Sequence, residues 1–218
     1  MSAASAFELT DVSKRYGARW ALSRLTFSLP QGGALLLTGH NGSGKTTLLR
    51  MLATATFPTL GGLKVLGQDT RDARMELRQK VGLLSHVSYL YEDLTAAQNL
   101  AVLSQLAAID ATAEQIDALL IRVGLKERKD SPVRQYSAGM RKRLAIARLL
   151  LKAPALALLD EPFGELDPRG ILEMEALIRE LAQKGSTLVL ATHLIEQGMV
   201  LTTSRLHLEN GRAVEATA

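Results

Sequence analysis

The chain has 218 residues, 47% hydrophobic and 22% charged, which suits a soluble globular protein of one large domain or two intimate lobes. It contains no cysteine, which excludes disulfide frameworks and thiolate metal centres. The net charge of +4 is dispersed and aromatics make up only 4%, which argues against a nucleic-acid-binding face.

The residues Met1 to Ala6 carry no Lys or Arg and lead into no apolar run, so no signal peptide is expected. No stretch approaches the ~20 apolar residues of a bilayer span, so action at a membrane would require another polypeptide to cross it. Phe7 to Val12 and Leu25 to Leu29 mix β-branched, aromatic and polar residues, as half-exposed antiparallel strands do. Ala34 to Thr38 is a continuous apolar run and predicts a buried parallel strand.

Directly after it, Gly39-His40-Asn41-Gly42-Ser43-Gly44-Lys45-Thr46, followed by Thr47, fits G-x-x-x-x-G-K-S/T between a strand and a helix. Glycines let successive backbone N–H groups turn inward around a phosphate, and the following helix adds its positive end. Lys45 supplies a point charge for the β and γ phosphates, and the Thr46 hydroxyl is a ligand for Mg²⁺. Nucleoside triphosphate binding follows from this loop. The particular family does not.

From Ser85 to about Lys152 the pattern is helical. Thr95–Gln98 and Thr112–Gln115 have capping-box spacing, and apolar residues recur through Leu100, Leu103 and Leu106, then Ile116, Leu119 and Leu120. Tyr136 to Arg141 runs into a further helix over Arg143 to Leu151. Two more buried strands are expected at Leu156–Leu159 and Thr187–Ala191, closing in Asp160-Glu161 and Thr192-His193. In open α/β sheets, chemistry gathers at such strand ends. One carboxylate of the pair can hold a metal while the next meets a water. Between them, Asp167-Pro168 is a helix start.

Taken together, these motifs resemble the ATP-binding subunits of ABC transporters over nearly the whole chain and in the right order. The resemblance implies an α/β P-loop NTPase fold, an ABC ATPase core with an antiparallel β subdomain and a helical subdomain. Residues 1–85 and 153–218 would form the core, and residues 86–152 the helical part of a single domain. Tyr16 matches the aromatic that stacks on adenine, Lys45 and Thr46 the Walker A loop, and Asp160 and Glu161 Walker B. Ser137 and Gly139 match the signature, in which Tyr136, Ala138 and Met140 replace the usual residues. Gly164-Glu165-Leu166-Asp167 matches the D-loop and His193 the switch histidine.

The implied cofactors are ATP and Mg²⁺. Glu161 would polarise the attacking water, Asp160 and Thr46 would hold the metal, and His193 would steady the γ-phosphate. Two copies would sandwich two nucleotides and drive integral membrane permease subunits from the inner face of the cell membrane, with no nucleic acid involved. After the strand Val81–Ser85, the family's usual metal- and water-contacting glutamine is replaced by His86. That substitution, with Tyr136 to Met140, is similar to the ATP-binding subunit of the haem exporter for cytochrome c maturation. An exporter of drugs, lipids or polysaccharide is the alternative within the family. A non-transport ABC ATPase is a further one, though the chain has neither tandem domains nor a long coiled coil.

Overall fold

The computed structural model describes residues 4–85 and 89–217. Strands β1 (Ser5–Tyr16) and β2 (Arg19–Pro30) form a long antiparallel hairpin around Gly17 and Ala18. They extend well beyond the runs Phe7–Val12 and Leu25–Leu29 that hydropathy marks. The pairing shifts register around left-handed Asp11 and Arg24, so the ladder bends and continues through polar residues.

Next come β3 (Ala34–Thr38), α1 (Lys45–Leu52), β4 (Leu60–Val65), β5 (Gln68–Asp69), α2 (Arg74–Lys80) and β6 (Val81–Leu84). The helical stretch holds α3 (Ala96–Leu106), α4 (Ala113–Arg122) and α5 (Ala138–Lys152). The chain closes with β7 (Leu156–Asp160), α6 (Pro168–Gln183), β8 (Thr187–Ala191), α7 (Ile195–Leu201), β9 (Ser204–Glu209) and β10 (Arg212–Thr217). Both capping boxes form as their spacing requires, with Thr95 and Thr112 accepting from the N–H groups of Gln98 and Gln115.

Two sheets result. One is antiparallel, in the order β2-β1-β4-β5. The other runs β10-β9-β3-β8-β7-β6 and is parallel except for β10, which pairs antiparallel with β9. The strands β7 and β8 are buried throughout, and their alternation splits the interior into two cores. Leu36, Ala157, Leu159, Leu188 and Leu190 join the core shared with α5 and α6 and with the helices α3 and α4. Leu35, Leu37, Leu156, Leu158, Val189 and Ala191 face the other way, towards α1 and the antiparallel sheet. Each fully buried leucine contributes about 1.5–3 kcal/mol, so this sandwich fixes the relative positions of β3, β7 and β8 firmly. Their carboxyl ends lie side by side, with Asp160 opposite Ala191 and Leu37 opposite Ala191 across neighbouring ladders.

Candidate functional site

The loop between β3 and α1 takes its shape from three left-handed glycines: Gly39 (φ 140°), Gly42 (φ 83°) and Gly44 (φ 111°). Two of them have no room for a side chain. A Cβ on Gly39 would run into the Leu208 carbonyl, and one on Gly44 would lie 2.7 Å from the Ala21 carbonyl. Gly44 also opens α1 without a side-chain cap, so the first N–H groups of that helix remain available to an anion. Lys45 is buried along its stem, and its Nζ donates to the carbonyls of Gly39 (2.7 Å) and His40 (3.2 Å), arching over the loop. Asn41, Gly42, Gly44, Lys45, Thr46 and Thr47 line a cleft of about 420 Å³.

Across this cleft stands the end of β7. The Thr46 hydroxyl donates to Asp160 Oδ2 at 2.8 Å, and Asp160 is itself buried. This places two hard oxygen donors side by side at the edge of a phosphate-sized cleft, the donor set that suits Mg²⁺ completed by phosphate and water oxygens. Among the described residues no three His, Asp or Glu side chains cluster into a metal cage, so a metal here would need ligands from its nucleotide.

Glu161 lines the same cleft with a left-handed backbone (φ 50°), and its N–H donates to the Ala191 carbonyl of β8 at 2.8 Å. Its Oε2 faces His193 Nδ1 at 2.9 Å and accepts from the Thr192 hydroxyl at 3.2 Å. The carboxylate and imidazole therefore order one another at the mouth, with His193 largely exposed. At the far end of the cleft, Tyr16 is half-exposed, with Lys14 Nζ 5.1 Å from its ring centroid.

Not every candidate points into the cleft. His40 is exposed and turns Nδ1 to the Asn41 carbonyl at 2.8 Å. Ser43 is fully buried beneath the loop and finds no hydrogen-bond partner for its Oγ. Ser137, Gly139 and Asp167 line a separate cleft of about 460 Å³, together with Met140, Arg143 and Glu165. There Ser137 caps α5 by accepting from Met140 N–H at 3.3 Å, and Asp167 caps α6 by accepting from Gly170 N–H at 2.7 Å. Within one chain the two clefts share no residue. His86 lies outside the described residues.

Local sequence patterns miss the floor of the phosphate loop. It is built by the β9–β10 hairpin, whose turn residues Asn210 and Gly211 are both left-handed. Gly211 N–H donates to the Ser43 carbonyl at 3.0 Å, while its own carbonyl accepts from Ser23 N–H of β2 at 2.8 Å. One strand residue earlier in the loop, the Thr38 hydroxyl meets His207 Nδ1 at 2.8 Å. The only sequence signal for this clamp is the Asn-Gly pair, which marks a hairpin turn and names no partner. Sequence places Thr192 at a strand end but gives it no partner, since its hydroxyl reaches Glu161 only where β7 and β8 are adjacent.

Residues 22–164 match the family model described as ABC transporter. The chain belongs to that family. Its relatives include the bacitracin transport ATP-binding protein BcrA of Bacillus licheniformis, 36% identical over 86% of this chain and 61% of that protein. A daunorubicin resistance ATP-binding protein of Streptomyces coeruleorubidus is 36% identical over 98% of this chain and 69% of its own length. A Nod factor export ATP-binding protein of Ralstonia nicotianae is 34% identical over 92% and 63%. The chain thus spans little more than three fifths of the bacitracin and Nod factor relatives.

Among solved structures, the ATP-binding subunit of an ABC transporter superposes with a TM-score of 0.89 at 28% identity, covering 97% of this chain and 89% of that one. A second, described as a dimeric post-hydrolysis ATP-binding cassette bound to ADP and Pi, also gives 0.89, at 25% identity and 97% coverage of both chains. The fold is that of the ABC ATPase core.

Proposed function

We propose that this chain binds MgATP in the phosphate-loop cleft and hydrolyses it to drive a separate membrane subunit of an exporter. The observation that carries this reading is the junction of four side chains at one edge of the cleft: Thr46 bonded to Asp160, and Glu161 bonded to His193. Mg²⁺ supplies charge neutralisation between the phosphates when bound, and Thr46 and Asp160 are the residues that would hold it. Lys45 and the loop amides bind the β and γ phosphates, while Tyr16 offers its exposed ring to the base. Glu161 is placed to orient and deprotonate water beside the γ-phosphate, with His193 fixing the carboxylate and the terminal phosphate.

Ser137, Gly139 and Asp167 stand on the other cleft, where a second copy's nucleotide would be met. A dimeric relative of the same fold supports that arrangement. The chain reads as one domain, with the helical part carrying the signature. Among the described residues no helix is long and apolar enough to cross a membrane, so this reading requires permease subunits, with the chain peripheral on the inner face.

The names of the relatives support a role in export, since bacitracin transport, Nod factor export and daunorubicin resistance stand among them. The narrower expectation of haem export for cytochrome c maturation rests on features such as His86, Tyr136 to Met140 and the stretch Leu90 to Thr95, and the names of those relatives do not support it. Haem attachment to c-type cytochromes in a deletion strain separates the two. The catalytic reading is tested by Glu161→Gln. This variant should bind ATP normally, lose hydrolysis by at least about 100-fold and accumulate as an ATP-bound dimer on size-exclusion chromatography. Hydrolysis at the unsubstituted rate would remove Glu161 from its role.

A further inference from the structure

Glu161 is an unusual residue to find at φ 50°, a left-handed conformation that costs a non-glycine residue roughly 1–2 kcal/mol. Something must hold it there. Its N–H is taken by Ala191 of β8, but its carbonyl points the other way, into the turn that leads to Gly164. There it accepts from Gly164 N–H at 3.3 Å and, more closely, from Lys142 Nζ at 2.9 Å. The same ammonium donates to the Gly164 carbonyl. A Cβ on Gly164 would sit 2.9 Å from that nitrogen, so the turn and the lysine occupy matched space.

Lys142 lies on α5, five positions after the capping Ser137. Its charge is half-buried: burial pushes its pKa below the usual lysine value, against the opposing pull of the Glu165 and Glu161 carboxylates. A desolvated cation spanning two main-chain carbonyls is a stiff link, because charge-assisted hydrogen bonds are stronger than neutral ones.

The geometry points to Lys142 as a positioning residue that clamps the left-handed backbone of Glu161 to the helix beginning at Ser137. The clamp joins the two clefts inside one chain. It fixes where the Glu161 carboxylate points, and it makes that direction depend on where α5 sits. Ser137 meets the second copy's nucleotide in the reading above, so occupancy of one cleft would be felt as alignment of the carboxylate in the other. This inference rests on the reading of Glu161 as the residue that faces the attacking water.

The test is a comparison of Lys142→Met and Lys142→Arg with Glu161→Gln in the full chain, measuring steady-state ATP hydrolysis and nucleotide affinity. Lys142→Met keeps the apolar stem and removes the donors. Its kcat should fall at least about tenfold while the KM for ATP and the ATP affinity stay within about twofold. Lys142→Arg, which can also donate to both carbonyls, should recover most of the rate. A merely structural role would move kcat and ATP affinity together, and that outcome would overturn the proposal. So would an unsubstituted kcat in Lys142→Met beside an inactive Glu161→Gln. If Lys142→Met does not fold, Lys142→Gln decides: an intermediate kcat at unchanged KM supports the clamp, and a full kcat refutes it. Full activity in Glu161→Gln would instead bring down the underlying assignment of Glu161.

Discussion

The phosphate-loop cleft and the signature cleft differ in how far one chain completes them. In the first, Lys45 is bonded to the loop's own carbonyls and Thr46 to Asp160, and the two acidic residues stand at the end of a strand buried at both faces. In the second, Ser137 and Asp167 satisfy only the ends of their own helices, and Ser137 and Ala138 are exposed. A preorganised cleft can bind its ligand alone. A shallow one lined by two helix starts has anion-binding capacity but nothing behind the ligand to close it. The contrast teaches that binding and hydrolysis should be separable by mutation.

The sharpest break comes from substituting one residue in each cleft. Lys45→Ala should weaken ATP binding by at least about tenfold, since a buried charge-assisted contact is worth roughly 1.5–3 kcal/mol. Ser137→Arg should leave the monomer's ATP affinity unchanged while abolishing turnover. Isothermal titration and a phosphate-release assay read the two effects. If Ser137→Arg lost ATP affinity as Lys45→Ala does, the two clefts would not be independent.

A smaller effect is expected behind the first cleft. A side chain at Gly211 (φ 78°) would press on the Ala21 carbonyl at 2.7 Å and disturb the N–H that holds the Ser43 carbonyl. Gly211→Val should cost about 2 kcal/mol, lowering Tm by about 4–8 °C in a chain of this size. It should also weaken ATP binding several-fold, with amide exchange rising in residues 39–44. An unchanged ATP affinity at lowered Tm would confine the hairpin to a stabilising role.

The smallest effect lies in the signature. Tyr136 is buried and its hydroxyl donates to the Arg128 carbonyl at 2.7 Å, with burial raising its pKa. Tyr136→Phe should lose about 1 kcal/mol, or about 2–4 °C in Tm, with ATP affinity intact. A loss of ATP affinity would show that the two clefts communicate before any second copy arrives.

The strands and residues of the first cleft were legible in the sequence because short apolar runs ending in glycine or acidic residues are local signals. The buried strands of an α/β core and the phosphate loop follow from them, and ATP as the nucleotide follows from the family resemblance. The helical segment was equally legible, through two capping boxes that close as spaced. Elements that rely on long-range pairing were not. β4, β9 and β10 are partly polar, and they form on the edges that β1, β3 and β9 offer them. For the same reason the Gly211 clamp and Lys142 leave no local signal: a lysine in a basic helix looks like solvent-facing charge until the turn after β7 is placed beneath it. His86, which the sequence singles out, lies outside the described residues.

Sharing of the site between two chains is tested most directly by mixing the Lys45→Ala and Ser137→Arg chains. Each alone should be inactive. A mixed dimer would contain one site made of an intact phosphate loop from one chain and an intact signature from the other. Hydrolysis should therefore reappear on mixing and vary with the ratio of the two. A mixture that stays silent although both variants are folded and form mixed dimers, or a Ser137→Arg chain that turns over ATP unaided, would contradict a shared site.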